Sequence, residues 1–79
     1  MDKNDAKLIL AYVLANMNIC EAARKTYYHR NTFTHNLERI RKVTGLNPRN
    51  FFDLHELYDI ACSILTVEEI EEICEEGSL

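Results

Sequence analysis

The feature that most restricts what this chain can become is one amphipathic stretch, "HRNTFTHNLERIRKVTG", from His29 to Gly45. Phe33, Leu37, Ile40 and Thr44 recur at spacings of four, three and four, which stacks them along one face of an α-helix. Asn31, His35, Glu38 and Lys42 fall on the opposite face, flanked by Thr34 and Arg39. The pattern predicts a helix from His29 or Arg30 to about Val43, with one buried stripe and one polar face. Gly45 follows where a left-handed C-terminal cap belongs. Such a stripe must be buried against something, and no run in the chain alternates apolar and polar residues between turn signals as strands would. The expectation is an all-α chain of four to five short helices.

The other helices follow from their start and stop signals. An apolar run, Leu8 to Ala15, predicts a first helix from about Asp5 to Asn16 with apolar residues on nearly all sides. Asn18 followed by Glu21 has the capping spacing and opens a second helix, which continues through Ala22 and Ala23 to about Thr26. Asn47-Pro48 reads as a short turn or a helix start. Asp53 with Glu56 repeats the capping spacing and predicts a helix to about Leu65. Thr66 with Glu69 repeats it again and opens an acidic helix to about Glu76, before Gly77. At 79 residues there is room for one domain and one modest core, so residues 1–79 read as a single unit with its core in 5–65 and an extra acidic helix at 66–76.

Two short helices joined by a tight turn, the second polar outside and apolar inside, make a helix-turn-helix arrangement. Ala22 and Ala23 are small enough to let the two helices approach closely. The charge distribution singles out the same region. Met1 to Ala23 carries three acids and two bases; Arg24 to Arg49 carries seven bases against Glu38 alone; Asn50 to Leu79 carries nine acids and no lysine or arginine. The formal net charge of −4 therefore hides a basic middle, and a phosphate backbone responds to the local field rather than to the mean. A helix that enters the major groove by its N-terminus needs residues there that are short or flexible and able to hydrogen-bond. His29, Arg30, Asn31, Thr32, Thr34 and His35 suit that task; Arg39, Arg41 and Lys42 suit phosphates. Of Tyr27 and Tyr28, one is expected to pack in the turn and the other to reach a sugar or phosphate, with Tyr28 taken as the contact.

At these residues the chain resembles the C-terminal helix-turn-helix of the PucR/CdaR-type transcriptional regulators, itself similar to the Fis-type DNA-binding domain. The resemblance rests on "AA" at Ala22 and Ala23, "HRNT" at His29 to Thr32, Phe33, Leu37, Arg39 and Ile40 in phase, and "TGL" at Thr44 to Leu46, with Asn18 and Arg24 before them. It covers residues 5–65, weakly after Asp53. It implies a Fis-like, all-helical bundle whose third helix enters the major groove of duplex DNA, with Arg30 and Asn31 near bases or phosphates and Thr32 and Arg39 on the backbone. It implies a small bacterial or phage regulator, working in the cytoplasm. Such regulators carry large sensor regions before this domain; here about one helical turn precedes it, and the chain is expected to be the binding module standing alone. It departs from the family pattern at Thr34, His35, Asn36 and Glu38, where further basic or aromatic residues are usual. Each phosphate that goes unneutralised flattens the salt dependence of binding by about 0.9 in logarithmic slope.

In the family-like register Ile9, Tyr12 and Val13 face the core, which leaves Leu8, Leu10 and Leu14 without a partner. Either the acidic helix packs Val67, Ile70 and Ile73 on them, or a second subunit does, and a homodimer through the first helix is the expectation, matching the need of two half-sites.

Other chemistries fit less well. There is no nucleophile–base pair, and two glycines leave little room for a phosphate-cradling loop, so an enzyme is not expected. His29 and His35, with Cys20 or Cys62, lack zinc-finger spacing, and neither a metal nor another cofactor is expected. The three cysteines form no CxxC pair and read as reduced thiols in a cytoplasmic protein. The apolar run of Leu8 to Ala15 is far shorter than the roughly 20 residues a membrane span needs, and with acids before it and no cleavage site after it, it does not read as a signal peptide. His55 reads as a surface residue, and the glutamates of residues 68–76 as a solvated face, with a partner-binding or DNA-mimicking surface as the other possibility. The competing reading of the whole is a protein-interaction module on a helix-turn-helix fold that no longer binds DNA, using the first-helix leucines or the acidic tail.

Overall fold

The computed structural model describes the backbone of residues 1–77 and the side chains of residues 1–74. It contains five α-helices: α1 (Lys3–Leu14), α2 (Ile19–Thr26), α3 (Arg30–Thr44), α4 (Phe51–Ile64) and α5 (Val67–Gly77). Among the described residues there is no strand, and no helix is long and apolar enough to cross a membrane. The all-α expectation holds.

Helix α1 is the centre of the bundle. It packs on α4, α2 and α5, and more lightly on α3. A helix that is apolar on nearly all sides has to be surrounded, and Ala6, Leu8, Ile9, Leu10, Ala11 and Tyr12 are all buried. This corrects the expected dimer surface. Leu8 and Leu10 are each 1% exposed within the single chain, and half-buried Leu14 packs against the same core. Their cover comes from inside the chain, where Ile70 and Ile73 of α5 join that core. Val67, expected to help, is instead 70% exposed. The leucines of α1 are therefore not a free surface for a second subunit or any other partner.

The caps explain the boundaries. Asp2 caps α1 by accepting from the amide of Asp5, so the helix starts two residues earlier than the periodicity suggests. Asn18 caps α2 through the Glu21 amide at 3.1 Å, but the Glu21 carboxylate pairs with Arg24 rather than reaching back. Helix α4 departs from expectation. Its cap is Asn50, which accepts from the amides of Phe52 and Asp53. Asp53 lies inside the first turn and accepts from the Asn47 amide at 3.0 Å, closing the turn that Asn47-Pro48 opens. At α5 the expected capping box is complete: the Glu69 amide donates to the Thr66 hydroxyl at 3.1 Å and the Thr66 amide to the Glu69 carboxylate at 3.0 Å. The carboxylates of Glu75 and Glu76 lie outside the described side chains.

Candidate nucleic-acid interface

Helix α3 is held by one face only. Phe33, Leu37 and Ile40 are buried, at 0 to 2% exposure, and half-buried Thr44 extends the stripe. Phe33 meets Tyr12 of α1 with ring centroids 6.1 Å apart, and the small Ala22 and Ala23 are buried in α2, against which α3 chiefly packs. At its end Gly45 has φ 76° and its amide donates to the Arg41 carbonyl, the left-handed cap the sequence predicts.

The opposite face is open. Arg30, Asn31, Thr32, His35, Arg41 and Lys42 are all exposed, and Thr34 and Glu38 are half-buried. Among the described residues Arg30 and Lys42 make no ion pair, whereas Arg41 reaches Glu38 at 3.4 Å in an exposed pair of little energetic weight. The Thr34 hydroxyl donates back to the Arg30 carbonyl at 3.1 Å, so its proton is engaged within the helix.

His29 turns out to be the N-cap. Its Nδ1 accepts from the Asn31 amide at 3.1 Å. The acceptor nitrogen must be unprotonated, which puts the ring proton on Nε2 as a donor. The amides of Arg30 and Thr32 have no partner among the described residues, so the positive end of the helix dipole is left at this terminus beside the Arg30 guanidinium.

Arg39 differs from the other cations. Both of its terminal nitrogens donate to the Asp5 carboxylate, one of them at 3.2 Å, in a bidentate pair between α3 and α1. Asp5 is the one charged residue buried among the described residues, at 4% exposure, and the hydrogen bond it accepts, with its charge, holds the guanidinium pKa above its ordinary value. The phosphate role expected of Arg39 has to share this side chain, 47% exposed, with a structural pair.

The turn into α3 is where the two tyrosines are decided. Helix α2 ends with the Tyr28 amide donating to the Ala23 carbonyl at 3.0 Å and the Tyr27 amide to the Arg24 carbonyl at 3.3 Å, a Schellman closure. Tyr27 sits in the left-handed region at φ 59°, where glycine is the usual occupant, and its ring is 84% exposed. Tyr28 is 37% exposed. Neither residue is in the core: Tyr27 stands out from the turn, and Tyr28, mostly covered, lies against its flank. The signal in the sequence is the tyrosine pair standing where the helix stop calls for glycine. An open cavity of about 260 Å³ lies between this turn, α1 and α5, lined in part by Lys7, Lys25, Tyr27, Tyr28 and Glu72. The acidic helix thus lies against the flank of the turn.

Among the described residues no three His, Cys, Asp or Glu side chains gather as a metal site requires. Cys20, Cys62 and Cys74 are free thiols.

Comparison with known proteins agrees with this architecture. Neither the curated proteins nor the solved structures contain a significant match. The family model of the PucR C-terminal helix-turn-helix domain matches residues 6–62, which take in most of α1 to α4 and stop short of α5. The match covers well over half of the chain, and the protein belongs to the PucR C-terminal helix-turn-helix domain family.

Proposed function

We propose that this protein is a DNA-binding transcriptional regulator that places the N-terminal half of α3 in the major groove of duplex DNA. The observation that carries the reading is the division of α3 into a buried stripe and a free polar face: the fold uses Phe33, Leu37 and Ile40 and leaves Arg30, Asn31, Thr32, His35 and Lys42 exposed. In this arrangement Arg30, Asn31 and His35 face base edges, where side-chain forks and amides discriminate between base pairs. Thr32, the open amides at the start of α3 and the Nε2 proton of His29 hold one phosphate strand. Arg41 and Lys42 hold phosphates further along, with the exposed half of Arg39 beside them. Tyr28, joined by Tyr27, lies at the flank of the groove against sugar and phosphate. Membership in a helix-turn-helix family supports the reading.

The alternative, a protein-interaction module that has given up DNA, has little first-helix surface to use, because Leu8 and Leu10 are buried and Leu14 is half-buried. The test is fluorescence anisotropy with mixed-sequence duplex DNA over a series of salt concentrations. Arg41→Ala and Lys42→Ala should each flatten the logarithmic salt slope by about 0.9 and weaken binding several-fold at low salt. Both residues are exposed, so each variant should keep its stability to within about 0.5 kcal/mol. Binding that is unchanged in both variants overturns the proposal.

A further inference from the structure

The start of α4 presents an apolar face that the DNA reading does not use. Phe51 and Phe52 are 68% and 79% exposed, with their rings edge to face at 5.9 Å. Beside them runs an open groove of about 190 Å³ lined by Val13, Phe51, Leu54, His55 and Tyr58. Two neighbouring exposed phenylalanines next to an apolar groove form a contiguous patch of the kind that marks an interface. The same surface carries a protruding ring, Phe52, beside the groove that Phe51 lines, so each of two identical chains can offer Phe52 to the groove of the other in a two-fold contact.

The charges around the patch narrow the occupant further. Arg49 lies exposed just before α4 and makes no ion pair among the described residues. Glu56 and Asp59 lie exposed one to two turns further along the same helix. Two copies of α4 crossing antiparallel, with the two-fold axis near His55, bring Arg49 of each chain towards Glu56 and Asp59 of the other. The same crossing sets the two helix dipoles in opposite directions. A parallel crossing would instead set like charges together.

We propose that this face is where a second copy of the chain docks, α4 against α4 in antiparallel two-fold contact, with Phe52 of each copy seated in the groove of the other. None of the groove's lining residues comes from α3, so the dimer does not consume the helix assigned to DNA. The proposal does not depend on DNA binding.

Sedimentation equilibrium of the full chain without DNA, from micromolar to millimolar concentration, tests it separately from the functional reading. The expected result is a reversible monomer–dimer equilibrium, weakened about thirtyfold or more by Phe52→Ser and further by Phe51→Ser with Phe52→Ser. Because both rings are exposed, the variants should retain the helical circular dichroism of the parent. Arg49→Glu and Asp59→Arg should each weaken the dimer, and the two together should restore it. A chain that stays monomeric to millimolar concentration overturns the proposal and leaves the face to a different partner. A dimer indifferent to the phenylalanines overturns this choice of face. Failure of the charge-swapped pair to restore association overturns the antiparallel arrangement.

Discussion

Asp5 and Arg39 show at single-residue scale how α3 is oriented on the bundle. Asp5 is buried in α1, and its two carboxylate oxygens are matched by the two terminal nitrogens of Arg39, near the middle of α3. The pair crosses between two helices that otherwise touch lightly, so it restrains the rotation of α3 that decides which side chains face outward. Helical periodicity puts Arg39 on the polar face but says nothing of its partner 34 positions away, because a long-range pair leaves no periodic trace. Asp5→Ala should cost about 1–3 kcal/mol in urea unfolding, at the lower end because Arg39 is half exposed and recovers water. Arg39→Ala in the same background should add little, the signature of one shared interaction. Additive losses would mean that the two residues act independently. His29 illustrates the same difficulty: its residue type suggests a base contact, and only the backbone geometry identifies it as the cap of α3.

At the scale of the helices, what repeats locally is legible in the sequence and what depends on packing is not. The stripe of Phe33, Leu37 and Ile40, the Gly45 stop, the Asn18 cap and the Thr66–Glu69 box are all short-range patterns, and each stands where the spacing places it. The start of α4 falls before the place where the Asp53–Glu56 spacing puts it, because Asn50 takes the cap and Asp53 accepts from the Asn47 amide instead. A start at Asp53 leaves Phe51 and Phe52 outside the helix, whereas they form its first turn. Helix α5 lies where its capping box predicts, but its docking on α1 is a matter of packing. That docking is sensitive to acid through Glu69. The backbone hydrogen bond at Thr66, then the ammonium of Lys3, lower the Glu69 carboxyl from an ordinary 4.5 to about 2. Lys3 and Lys7 lie 3.2 and 3.7 Å from the carboxylate, tying α5 to α1. A carboxyl whose pKa is lower in the folded state stabilises that state above its unfolded value, and the contribution is lost as protons bind. The attachment of α5 should therefore be intact above about pH 4.5 and weaken as pH falls towards 2. Amide exchange and helical circular dichroism across this range should show α5 loosening, and Glu69→Gln should show the loosened state already at neutral pH. A pH profile that is identical in the parent and in Glu69→Gln would remove Glu69 from this role.

For the molecule as a whole, the central feature is the division of charge between a basic middle and an acidic remainder. That division is visible in the sequence, since seven of the nine lysines and arginines fall between Arg24 and Arg49. The enclosure of α1 is not, and so leucines that look unpartnered along the chain are core residues covered by α4 and α5. With an extent of 31 × 26 × 20 Å the folded chain is short enough for α3 to span one face, with acidic α5 against the side of the turn that leads into it. The exposed rings of Phe51 and Phe52 on α4 carry the other candidate contact. Groove insertion by α3 is tested most sharply by an NMR titration of isotope-labelled protein with short mixed-sequence duplex DNA at low salt, followed residue by residue. Insertion predicts shifts concentrated on Tyr27 to His35 and on Arg39 to Lys42, fading as salt rises. A spectrum in which those residues stay still at low salt would contradict it.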